Sequence, residues 1–124
     1  MNSTDELEHV EIDSCELEYL WCRETVDPFQ RTVVLLHEGL GCVHSWGDFP
    51  QLLAASTGLA VLAYSRAGYG GSGSTSTPRT PDWMHHEALV VLPALLEKFE
   101  IESYILIGHS DGASIGIIYA GSKR

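Results

Sequence analysis

The sequence predicts an α/β fold with a mostly parallel sheet, and three features predict it. Residues 32–36, 60–64 and 104–107 are short, uninterrupted apolar runs, the character of strands buried on both faces of a parallel sheet. Stretches with helical spacing separate these runs. Before them lies an alternating segment, Glu16-Leu17-Glu18-Tyr19-Leu20-Trp21-Cys22. Period-two alternation suits a half-buried strand, with Leu17, Tyr19 and Trp21 inward and Glu16 and Glu18 toward water. Residues 10–12 supply an antiparallel partner across a turn at Asp13-Ser14. The expected order is a hairpin followed by strand, helix, strand, helix, strand and helix, with helices on both faces of the sheet.

Each helix has its own signature. Residues 45–57 place Trp46, Phe49, Leu52 and Leu53 at helical spacing. Pro50 fits only within the first turn. The second helix is expected to be capped by Thr80, with Pro81 at its first position. Leu89, Leu92, Leu96 and Phe99 form its apolar stripe, and Pro93 is expected to kink it. The third helix follows Ser110 and carries Ala113, Ile115, Ile118 and Tyr119.

Composition narrows the function. The 124 residues carry a formal net charge of −10, with 44% hydrophobic and 19% charged residues. That suits one globular domain spanning 1–124. Much of the acidity lies early, at Asp5, Glu6, Glu8, Glu11, Asp13, Glu16, Glu18 and Glu24, and reads as a solvated acidic hairpin. Such a surface repels phosphate, which argues against nucleic acid and anionic membranes as partners. No apolar run is long enough to span a bilayer. The first residues lack a basic and an apolar leader region, so a cytoplasmic location is expected. Cys15, Cys22 and Cys42 are odd in number and form no CxxC, so they read as reduced thiols.

The chemistry concentrates at Gly108-His109-Ser110-Asp111-Gly112, a G-x-S-x-G pattern. It directly follows an apolar strand and directly opens a helix, the context that the pattern requires. The sharp turn lifts the Ser110 hydroxyl above the sheet edge, at a helix N-terminus that favours negative charge. Two other patterns mislead. Gly68-Tyr69-Gly70-Gly71-Ser72-Gly73 reads as G-x-G-x-x-G, yet a Ser/Thr-rich loop follows where a dinucleotide site needs a helix. His85-His86-Glu87 places its histidines on adjacent helix positions, which do not chelate as an i, i+4 pair does. No metal and no cofactor is expected.

Three blocks resemble the α/β-hydrolase superfamily. His37-Glu38-Gly39-Leu40-Gly41 is similar to its His-Gly-Gly-Pro-Gly oxyanion loop. Ser65-Arg66-Ala67-Gly68-Tyr69-Gly70-Gly71-Ser72 is similar to its Arg-Gly-x-Gly-x-Ser turn. The third block is the elbow. The resemblance implies Ser110 as nucleophile and the backbone N–H groups of Gly39 and Asp111 as the oxyanion hole. It implies a small acyl substrate and separates the chain from branches with an aspartate nucleophile, such as haloalkane dehalogenases and epoxide hydrolases. Glu38 stands where glycine is more usual. A carboxylate there would oppose an oxyanion, so its side chain is expected to point elsewhere. His37 is expected to hold the loop, and His109 is not assigned as the base.

The family order is Ser, then Asp or Glu, then His. No histidine follows Ser110, and Asp111 is the only later acid. The resemblance therefore implies an incomplete domain: strands one to five and the helix after the elbow, with the cap, distal strands, triad acid and histidine absent. On that reading the strand at 104–107 becomes an open apolar edge, able to self-associate. The competing expectation is a non-catalytic fragment that binds a ligand or partner without turnover.

Overall fold

A computed structural model describes residues 7–22, 30–74 and 80–123. Asp5, Glu6, Glu24, the first six residues and part of the Ser/Thr-rich loop, all read above, lie outside them. Five strands form one sheet in the order β1-β2-β4-β3-β5. β1 (Leu7–Ile12) and β2 (Cys15–Cys22) pair antiparallel. They turn at Asp13 and Ser14, both at positive φ (52° and 62°), as a two-residue hairpin of matching twist requires. β2 joins β4 (Val61–Tyr64) antiparallel, and β4, β3 (Thr32–Leu36) and β5 (Tyr104–Gly108) run parallel.

Helices cover both faces, as the apolar runs required. On one face Val34, Leu36, Leu62 and Tyr64 pack with Leu92, Leu95, Ile115 and Tyr119. On the other, Val33, Leu35, Val61 and Ala63 pack with Val43 and Ala54. The latter two come from a 3₁₀ turn (Val43–Trp46) and α1 (Phe49–Thr57). The single helix expected from residue 45 is thus divided, with Pro50 in the first turn of α1, where its missing N–H costs nothing.

The second helix departs from its expected form. It begins as α2 (Trp83–His86), with Asp82 rather than Thr80 at the cap position. Thr80 instead donates its hydroxyl to the Asp82 carboxylate, and its carbonyl accepts from Trp83 N–H. A π-turn follows (Glu87–Val91), in which Leu92 N–H reaches back to the Glu87 carbonyl, and then α3 (Leu92–Lys98). The wide turn immediately precedes Pro93, whose ring would clash with the carbonyl four residues back in a regular helix. The extra residue rotates the apolar stripe. Leu92, Leu95 and Leu96 are buried, but Leu89, expected inside, is 47% exposed.

The acidic hairpin also departs at one point. Glu18, expected in water, is 5% exposed. Its strand is covered on both faces, because Leu20 and Cys22 pack beneath α1 while Leu17 and Tyr19 pack beneath α3. β5 forms an edge of the described sheet, paired with β3 alone.

Candidate active site

The site lies at the carboxyl ends of β3, β4 and β5. α4 (Asp111–Gly121) starts directly after Ser110, which sits at φ 56° and ψ −115°. For a residue with a β-carbon this is strained backbone, and such strain concentrates where structure serves function. The turn closes only with glycine beside it. A β-carbon on Gly108 would stand 2.5 Å from Ala113 N and 2.6 Å from the Gly112 carbonyl carbon. One on Gly112 would stand 2.5 Å from the Leu36 carbonyl carbon and 2.7 Å from His37 O, so α4 presses directly on the end of β3. His109 N–H donates to Leu36 O at 3.0 Å, tying the elbow to the same strand. Ser110 is exposed at the surface.

The three expected site residues converge. Gly39 lies against Asp111, whose carboxylate oxygen occupies the space that a Gly39 side chain would take. Among the described residues neither Gly39 N–H nor Asp111 N–H has a hydrogen-bond acceptor. The Glu38 side chain lies over Gly41.

His37 holds the loop. It is 1% exposed. Arg66 N–H donates to its Nε2 at 2.9 Å, which leaves the proton on Nδ1, 2.6 Å from Glu38 O. Among the described residues no histidine hydrogen-bonds the Ser110 hydroxyl. His109 is exposed, and His86 Nε2 pairs instead with Asp13 at 2.8 Å. No group of three or more metal-ligating side chains occurs among the described residues. The glycines from Gly68 to Gly73 form a turn, and no helix opens within the described residues up to 74.

Two supporting residues had no role in the sequence reading. Arg66 is 2% exposed and donates from Nη1 to His37 O (2.6 Å) and from Nη2 to Glu38 O (3.0 Å). Burial lowers its pKa, opposed by Tyr64, Glu87, Tyr69 and Asp111. Glu18 accepts from Ser65 Oγ at 2.9 Å, and the same Oγ accepts Val43 N–H at 2.9 Å. Ser72 Oγ accepts from Glu18 N–H and donates to Ser65 O. The sequence hints were a polar residue at the end of, or inside, an apolar strand and, for Arg66, its place at the head of the Arg-Gly-x-Gly-x-Ser-like turn.

The alpha/beta hydrolase fold family matches residues 31–123, and the chain belongs to that family. No curated protein matches the chain. Among solved structures, a membrane phospholipase A described as a bacterial virulence factor aligns with a TM-score of 0.78 and 21% identity, covering 93% of this chain and 34% of that one. An epoxide hydrolase mutant of Vigna radiata aligns at 0.75 and 21%, covering 94% and 34%. Epoxide hydrolase A of Mycobacterium thermoresistibile aligns at 0.71 and 25%, covering 93% and 34%. The chain therefore spans about a third of the length of these structures. Likeness at this level supports the fold.

Proposed function

We propose that the chain is the nucleophile-bearing part of a serine hydrolase of small carboxylic esters, lactones or related acyl substrates. Ser110 Oγ attacks the carbonyl carbon as its proton passes to a base. The N–H groups of Gly39 and Asp111 receive the oxyanion. The intermediate collapses, the alcohol leaves with a proton, and water then releases the acid from acyl-Ser110. The base and its orienting acid come from sequence beyond Arg124, in the family's chain order. Removing one such donor costs about 3–4 kcal/mol of transition-state stabilisation in comparable enzymes.

The observation carrying this reading is the strained Ser110 backbone between β5 and α4, together with the acceptor-free N–H groups of Gly39 and Asp111. Serine as the nucleophile argues for acyl transfer over the epoxide opening named for two of the structural neighbours. The test is intact-protein mass spectrometry of the gene's full translation product, quenched after mixing with p-nitrophenyl acetate. An acetyl adduct on Ser110, lost in Ser110→Ala, is expected. Hydrolysis that survives Ser110→Ala undiminished would sink the reading. The competing reading, binding of a ligand or partner without turnover, predicts saturable binding and no adduct.

A further inference from the structure

We propose that Arg66 is the positioning residue of the oxyanion hole, holding the Glu38–Gly39 peptide plane so that the Gly39 N–H is aimed before substrate arrives. This rests on the hydrolase reading above. The geometry begins at the carbonyl of Glu38. Three donors converge on that oxygen: Arg66 Nη2–H at 3.0 Å, His37 Nδ1–H at 2.6 Å and Gly41 N–H at 3.1 Å. The described chain contains no cis peptide bond. In a planar trans peptide the C=O and the following N–H point in opposite directions. Fixing Glu38 O therefore fixes the direction of Gly39 N–H, which is itself left without an acceptor. Arg66 Nη1 also holds His37 O at 2.6 Å, so two successive peptide planes are locked from one guanidinium.

The choice of residue supports this role. Among the described residues the Arg66 guanidinium forms no salt bridge, and its Nε is buried without a hydrogen-bond partner. Its charge rests on the two carbonyls and lies near the Tyr69 and Trp83 rings, 5.8 and 5.9 Å from their centroids. A buried cation is costly, and an apolar side chain would fill the same space at less cost. A guanidinium is the one side chain whose rigid fork can reach two carbonyls at once and stay charged. Lysine keeps the charge but is a point donor on a flexible stem.

Arg66→Lys in the full translation product tests the proposal. ¹⁵N relaxation reads Gly39 directly. An order parameter near ~0.85 in the wild type and below ~0.6 in Arg66→Lys is expected, with the β4 amides unchanged. With p-nitrophenyl acetate, kcat is expected to fall at least ~10-fold, up to the ~10²–10³-fold of a lost donor, with KM moving less than about two-fold. A change of fold alone would not give that split. A Gly39 amide equally rigid in both proteins, or already mobile in the wild type, overturns the proposal, as does a loss confined to KM. If the wild type shows no Ser110-dependent turnover, the hydrolase reading fails. The relaxation data then judge the clamp by themselves.

Discussion

Replacing Gly112 by alanine tests the packing of the elbow, and the structure sets the size of the effect. The added methyl would meet backbone, the Leu36 carbonyl and His37 O, with 2.5 Å to the Leu36 carbonyl carbon. Backbone at the end of a central strand cannot swing aside as a flexible side chain can. Overpacking typically costs about 1–3 kcal/mol, and this case belongs at or above the upper end. For a domain of this size, that corresponds to a melting temperature lower by ~10 °C or more. The control lies on the same helix. At Gly116 the methyl meets only Leu36 Cδ1, at 3.4 Å, an ordinary contact. There alanine gains helix propensity of about 0.5–1 kcal/mol. Calorimetry or thermal circular dichroism of both variants is the assay. If Gly112→Ala melts within about 2 °C of wild type, or if Gly116→Ala loses as much, the reasoning fails.

Four further outcomes follow from the same structure. Leu92→Ala is expected to cost about 2–5 kcal/mol in urea unfolding, but Leu89→Ala under about 0.5, because the π-turn turns Leu89 to solvent. Glu18→Ala strips the Ser65 hydroxyl of its buried acceptor and is expected to cost about 1–3 kcal/mol, whereas Glu18→Gln, which keeps an acceptor, loses less. Burial raises the Tyr64 pKa above its unfolded value near ~10, so only the unfolded state releases this proton there. Stability is full below that pH and falls as pH rises, by up to ~1.4 kcal/mol per unit from this group. Tyr64→Phe should flatten the alkaline limb of a pH–stability curve. The half-buried β5 edge, paired only with β3, is proposed to drive concentration-dependent association of this chain. Sedimentation velocity should detect it, and a lysine at Ile105 or Ile107 should weaken it.

Much of this was legible in the residues. β3 spans the expected residues, and β4 and β5 differ from expectation by one residue at one end, because an apolar run between turn signals leaves few other readings. The elbow was legible because glycine at 108 and 112 is a steric demand of the turn. The stripe on the second helix was misread at Leu89, because a π-turn shifts helical phase without marking the sequence beyond the nearby proline. Glu18 was misread because alternation tells which residues share a face, not whether that face meets water. α1 and the 3₁₀ turn cover it, and Ser65 and Ser72 supply the polar partners that make burial tolerable. The Arg66 clamp was hidden for a related reason. Its partners are backbone carbonyls, which every residue carries, so no side-chain pattern announces them.

The most direct measurement is covalent labelling of the full translation product with a fluorophosphonate, mapped by peptide mass spectrometry. One modified site, Ser110, is expected, and Ser110→Ala abolishes it. Ser110→Gly should also lose the label yet melt higher by the equivalent of about 1 kcal/mol, because glycine tolerates the φ of 56° that strains serine. A protein that stays unlabelled, or that carries the label elsewhere, would contradict the claim that the elbow holds a nucleophile.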